Sequence, residues 1–430
     1  MVLRSAAFRL ALLLAALLAA CGASPSAVQP TLAPPQSTAT PLPTPLPTEP
    51  PTQPPPTTAA APSPSPSPVE EIYLLPAPLI VLTPAGIERL DATARSLAPV
   101  VRPTGGAAIT QFDVSPADGS IVYRVEQGGA ASLRRVASDG TGDTELLAGD
   151  ASAPRVSPDG SQVAVRLAPT GESDTVALAG VFLVPTAGGA PQLLQADDPP
   201  PDPAQPALLA GLAFEPLAWS PDGTRLLLTT VLPGGDYCGM AVKELATGVL
   251  VAISPQGALV DCGRGTWSQD GTSIIMTLQD PGASAARLPG LWRADPATGA
   301  VTLFLPEISD GSPAIYAAAR EVIGELRVFI ALAPAGYDPL AYPPPLLEFA
   351  MARAAPDGLA PSERLRPDTH LLYEALWAPD GSGAVALVAS GGEDPDGAAL
   401  LWLPADGSPP VMLPITPAQP MQFAWGGSEV

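Results

Sequence analysis

An all-β fold of repeated four-stranded units follows from three features of the 430-residue sequence. One stretch recurs: FDVSPADGSIVYRV from Phe112, PRVSPDGSQVAVRL from Pro154, LAWSPDGTRLLLTT from Leu217, GTWSQDGTSIIMTL from Gly265 and ALWAPDGSGAVALV from Ala375. Each copy sets a short apolar run, a turn carrying Asp-Gly and a second run rich in Val, Ile and Leu, which is the pattern of a β-hairpin. The spacing is regular, since Trp219 to Trp267 and Trp377 to Trp425 are both 48 residues. Four strands per 40 to 60 residues, repeated around an axis, predict a β-propeller.

The first 20 residues lie outside that fold. Arg4 and Arg9 precede an apolar stretch, Leu10 to Ala20, that is too short to span a bilayer and has the layout of an export signal. Leu18-Ala19-Ala20-Cys21 resembles the bacterial lipobox, which implies lipidation of Cys21 and a membrane anchor facing the periplasm or the cell exterior. The alternative is an ordinary secretory signal that contains a cysteine. Residues 21–69 are then a tether, because a segment of Pro, Thr, Ser and Ala with almost no charge and no aromatic side chain cannot bury enough surface to offset its ordering entropy. In polyproline II it reaches on the order of 100 Å.

Residues 70–430 are assigned to the propeller domain. EEIYLLPAPLIVLTPAGIERLD, residues 70 to 91, has strands and a Pro-Ala-Gly turn but no first strand of its own, whereas the last copy, FAWGGSEV from Phe423, has a first strand and nothing after it. Pairing the two closes a ring and removes two sheet edges. Tyr316 lies 49 residues after Trp267 in PAIYAAAREVIGELRVFIALA, a degenerate copy without the Asp-Gly turn. Seven blades are favoured. Six is the alternative if residues 313 to 372 are an elaborated insertion. Downstream of most copies a second hairpin supplies the outer strands, as in MAVKELATGVLVAIS and LWRADPATGAVTLFL.

The repeated Ser-Pro-Asp-Gly segments resemble the TolB-like, WD40-like propeller repeat, in which this segment joins the first two strands of a blade. The resemblance covers nearly all of residues 110 to 430 and owes its specificity to repetition. No α/β domain precedes the repeats here, so the envelope-trafficking role of TolB does not carry over with the fold.

Asp118, Asp159, Asp222, Asp270 and Asp380 are read as structural turn residues, because Asp bonds its own nearby backbone and a catalytic carboxylate is needed at one position, not five. The connections on the opposite face are longer and more varied, which is where a rigid frame carries recognition. That face gathers acidic residues and tyrosines, and the candidate binding residues are Asp236, Tyr237, Tyr337, Asp338, Tyr342 and His370; the alternative is solvated loops that bind nothing.

Chemistry has few carriers. His370 is the sole histidine, no glycine-rich phosphate loop or Gly-x-Ser-x-Gly elbow occurs, and GGEDPDG lacks the spacing of a calcium loop. No cofactor and no metal are expected. The formal charge of −22, which becomes −24 once Arg4 and Arg9 leave with the signal, disfavours nucleic acid. Beyond Cys21 only Cys238 and Cys262 remain, either bridged across an open hairpin in an oxidising compartment or separate buried thiols. The expectation is a monomeric, non-catalytic module for an envelope protein, peptide or glycan. The alternative is an extracytoplasmic hydrolase or lyase acting on glycans or peptides, with two channel carboxylates as acid and base.

Overall fold

In the computed structural model the chain divides into Met1–Pro68 and Val69–Val430. The described residues are 74–168, 178–198, 212–231, 238–253, 264–277, 291–305, 314–332, 347–354, 363–389, 397–415 and 422–427, all in the second unit. Among them there is no helix, and every strand pairing is antiparallel.

The first sheet takes strands from both ends of the unit. Strands β1 (Leu79–Thr83), β2 (Gly86–Leu90) and β3 (Leu97–Val101) form a meander, and β28 (Phe423–Trp425) completes it in the order β28-β1-β2-β3. Leu79 stands opposite Trp425, Ile80 opposite Ala424 and Val81 opposite Phe423. The β1–β2 turn needs Gly86: its φ is 125°, and a Cβ there would lie 2.1 Å from the carbonyl oxygen of Val101.

Four further sheets are simple meanders. They comprise β4 to β7 (Ala108–Val114, Ile121–Gln127, Ala130–Val136, Thr144–Ala148) and β8 to β11 (Ala151–Val156, Gln162–Leu167, Gly180–Pro185, Gln192–Ala196). They continue with β12 to β15 (Ala213–Trp219, Arg225–Val231, Cys238–Glu244, Leu250–Ile253) and β16 to β19 (Arg264–Trp267, Ile274–Thr277, Leu291–Ala294, Val301–Leu305). Second strands are buried on both faces, as in the run Leu226, Leu227 and Leu228 of β13, so they read as continuous apolar stretches. Leu226 and Leu228 pack with Ala164 and Val181 of the sheet before, while Leu227 packs with Trp267 of the sheet after. The core therefore lies between sheets.

The last sheet has eight strands. Strands β20 (Ala314–Val322), β21 (Glu325–Leu332), β22 (Glu348–Ala354) and β23 (Glu363–Arg364) form one half, and β24 (His370–Trp377), β25 (Gly383–Ala389), β26 (Ala398–Pro404) and β27 (Val411–Met412) the other. Strand β24 is shared: His370 and Leu371 pair with Phe349 and Glu348 of β22, and from Leu372 onward the strand pairs with β25. Between β23 and β24 the chain detours to bury Arg366, only 4% exposed, against the β26–β27 connection.

Tryptophans link consecutive first strands. The indole N–H of Trp219 donates to the carbonyl oxygen of Arg155 at 2.9 Å, that of Trp267 to Ala218 at 3.1 Å and that of Trp425 to Trp377 at 2.9 Å. Trp377 faces the irregular strand β20, and its own buried indole N–H finds no acceptor among the described residues. It packs instead against Phe329, with ring centroids 5.3 Å apart.

Candidate functional site

The Asp-Gly turns are closed by their own side chains. Asp222 Oδ1 accepts from Ser220 Oγ at 2.6 Å, Thr224 N at 3.1 Å and Thr224 Oγ1 at 2.9 Å, and Gly223 N donates to Ser220 O at 2.9 Å. Asp159 and Asp270 repeat the pattern through Ser157 with Ser161 and Ser268 with Thr272. Asp118 takes Ser120 N at 3.0 Å and Arg135 Nη2 at 2.6 Å, and Asp380 takes Ser382 N at 2.9 Å. Gly223 sits at φ 70°, where a side chain is strained.

These bonds favour the charged carboxylate. The hydroxyl of Ser157 and the N–H of Ser161 hold Asp159 at about 2, and Ser268 and Thr272 hold Asp270 at about 2, against 3.8 for an ordinary aspartate. Since the folded-state values lie below the unfolded one, the stabilisation is complete above about pH 4 and is lost as pH falls towards 2. Urea titrations should therefore show stability dropping through that interval. The Asp159→Asn/Asp270→Asn variant should show a shallower drop, and an unchanged acid limb would refute the assignment.

Of the loop-face candidates, Asp236, Tyr237, Tyr337, Asp338 and Tyr342 lie outside the described residues, as do Cys21 and Cys262; Cys238 opens β14. His370 is described, with Nε2 3.0 Å from Asp368 Oδ2. Asp368 is paired in turn with Arg366 at 2.9 and 3.1 Å. Burial raises the Asp368 carboxyl, but its bonds to Arg366 and His370 outweigh that and leave it below the usual range. The one histidine is thus tied into a structural ion-pair cluster. Asp197, another acidic residue of that face, is bound by Arg166 at 2.8 and 2.9 Å and by Phe214 N at 2.9 Å. No group of three or more His, Cys, Asp or Glu close enough to hold a metal ion occurs among the described residues.

A cavity of about 930 Å3 is lined largely by the first strands. Its charged wall consists of Asp113 on β4, Arg155 on β8, Arg320 on β20, Glu374 on β24 and Asp380 in the following turn. Asp113 Oδ2 accepts from Val156 N at 2.7 Å. Burial pushes the Asp113 carboxyl up, against the opposing pull of Arg155 and of the Val156 N–H. Arg155 is fixed by donating from Nε to Leu217 O at 2.7 Å and from Nη1 to Pro154 O at 2.8 Å. Burial lowers the Arg320 guanidinium, and Asp380 opposes that shift.

Loop length carries no information about this cavity, whereas the first-strand sequences do. Arg155 and Leu376 each stand two residues before the Ser or Ala that opens the turn and line the cavity, alternating with Val156 and Trp377, which are buried and do not line it. Side chains alternate along a strand, so the two positions face different surroundings.

No protein-family model matches the sequence, and no curated protein matches it. Among solved structures, the fold is similar to a prolyl endopeptidase (12% identity, 79% of this chain and 46% of that one, TM-score 0.50). It is also similar to the tricorn protease (9% identity, 82% of this chain and 34% of that one, TM-score 0.50). TolB from Acinetobacter baumannii matches at 16% identity over 81% of each chain with a TM-score of 0.44. This chain spans less than half the length of the prolyl endopeptidase and about a third of the tricorn protease. The described residues form a succession of mostly four-stranded antiparallel sheets, and the chain has a β-propeller fold.

Proposed function

We propose that this is an exported lipoprotein, anchored at Cys21, whose residues 70–430 form a closed, seven-bladed, TolB-like propeller. The propeller serves as a non-catalytic module for an envelope protein, peptide or glycan. Closure rests on the pairing of β28 with β1, and the count of seven treats the two halves of the eight-stranded sheet as two blades. The observation that carries the binding role is the cavity, whose wall sets polar side chains among apolar ones, the usual composition of a recognition site. The repeated aspartates act as turn closures, since their oxygens are occupied by the hydroxyls and N–H groups of their own turns.

Cross-linking in intact cells, followed by identification of the attached molecule, tests this reading. A single partner should be captured from the membrane fraction, and Cys21→Ser should release the protein from that fraction. Neutral replacement of Asp236, Tyr237, Tyr337, Asp338 and Tyr342 should reduce capture, whereas Asp222→Ala should lower stability by roughly 0.5–2 kcal/mol and leave capture intact. Equal effects of the two sets on capture would overturn it, as would turnover on a panel of polysaccharides and peptides.

A further inference from the structure

The polar groups of the cavity are unequally satisfied. Its carboxylates have donors: Asp113 takes the Val156 N–H, Asp380 takes both the N–H and the hydroxyl of Ser382, and Glu374 is also engaged. The guanidinium groups are less well served. Arg155 directs two hydrogen bonds at backbone carbonyls, and the hydrogen bond of Arg320 is a long one, 3.5 Å from Nη1 to Trp377 O. Each guanidinium offers five N–H donors. Neither arginine has an ion-pair partner within 4.0 Å among the described residues. Both arginines are half-buried and line the cavity, so their unspent donors are open to a guest that enters it, with Asp113 acting on Arg155 and Asp380 on Arg320 only through space.

The backbone is distorted where it presents Arg320. Strand β20 pairs with β21 at Ala317 and again at Arg320, with a register shift between, and within that bulge Ala318 adopts a φ of 46°. Bulges re-aim side chains, and left-handed backbone at a residue with a Cβ is a strain that persists where surrounding structure enforces it. Arg155 and Arg320 lie on different sheets that line the same cavity.

We propose that the cavity binds the free C-terminal carboxylate of a peptide, with Arg320 as its principal anchor and Arg155 as the second guanidinium. A planar fork matches a carboxylate in two parallel hydrogen bonds, and the low dielectric of a cavity strengthens them. This assignment rests on the propeller being a binding module, and it adds which chemical group the module reads.

The test uses acetyl-Ala-Ala-Ala as free acid, the same peptide as C-terminal amide, and succinate, each titrated into the protein while tryptophan fluorescence is followed; Trp425 lines the cavity. The free acid should bind at least about tenfold more tightly than the amide, the range expected for losing a charge-assisted hydrogen bond. Arg320→Gln should abolish that preference, and Arg320→Lys should retain part of it, both with unchanged thermal unfolding. The comparison of acid and amide on the unaltered protein stands on its own if Arg320→Gln does not fold. Saturation by succinate with the same Arg320 dependence, but no binding of the peptide acid, would overturn the peptide assignment in favour of small carboxylates. Equal affinity for acid and amide, or no saturable binding of either at millimolar concentration, would overturn the site altogether. If a cellular partner is captured but its capture is indifferent to Arg320→Gln, the binding module stands and the carboxylate anchor falls.

Discussion

Replacing Arg366 with methionine should lower the free energy of unfolding by about 3–5 kcal/mol. Arg366 is only 4% exposed, and its guanidinium holds three partners at once: the Asp368 carboxylate, Pro404 O at 2.7 Å and Ser408 O at 2.6 Å. Methionine fills most of the volume but leaves two carbonyl oxygens without their donor, and the Asp368 carboxylate with only its contact to His370, in a partly desolvated crevice. The groups left short of a donor, more than the lost pairing, set the size of the effect. Pairing the change with Asp368→Leu should recover part of the loss, because the stranded carboxylate goes with it. Urea denaturation of both variants reads the result. A loss below about 1 kcal/mol would mean that the crevice rehydrates freely and that the cluster does not fasten the two halves of the eight-stranded sheet.

Removing residues 422–427 should cost more, on the order of 5 kcal/mol or above. The deletion takes away the partner of β1, the indole bond from Trp425 to Trp377 and the edge-to-face contact of Trp425 with Trp402, whose ring centroids are 6.0 Å apart. Phe423 and Trp425 also pack against the cluster that contains Leu79, Val81, Leu387 and Leu413. Losses of this size approach the whole net stability of a typical domain, about 5–15 kcal/mol. The bared edge of β1, with Leu79, Ile80 and Val81, then invites pairing between chains. Thermal unfolding and size-exclusion chromatography should show an early, self-associating species. A melting temperature within about 2 °C of the intact chain would contradict it.

Much of the strand order is legible in the sequence because turn chemistry is local. Pro, Asp and Gly act within five residues, so each Asp-Gly hairpin announces itself wherever it falls, and the pairing partner of Phe423–Trp425 follows from counting strands. What escapes the sequence is set by neighbours distant in the chain. Strand β20 carries no turn signal because Ile323 and Gly324 replace the Asp-Gly pair, and its bulge at Ala318 follows no residue preference. Arg366 looks like a solvated charge in RLRPDTH until Pro404 and Ser408, some forty positions later, are seen to close over it. Arg155 and Arg320 look equally ordinary. They matter because the first strands of several sheets line one cavity, which only the assembled sheets define.

Ring closure is tested most directly by a disulfide across the seam. Val81 and Phe423 stand directly opposite each other, and the flanking bonds from Leu82 N to Gln422 O and from Gly426 N to Pro78 O make theirs a non-hydrogen-bonded pair. Such pairs bring their Cα atoms to about 4.5 Å, within disulfide reach. In the Val81→Cys/Phe423→Cys variant, mild oxidation of the folded monomer should yield a peptide in which positions 81 and 423 are covalently joined. A folded monomer that keeps both thiols reduced, or that links them only between chains, would contradict a propeller closed by its last strand.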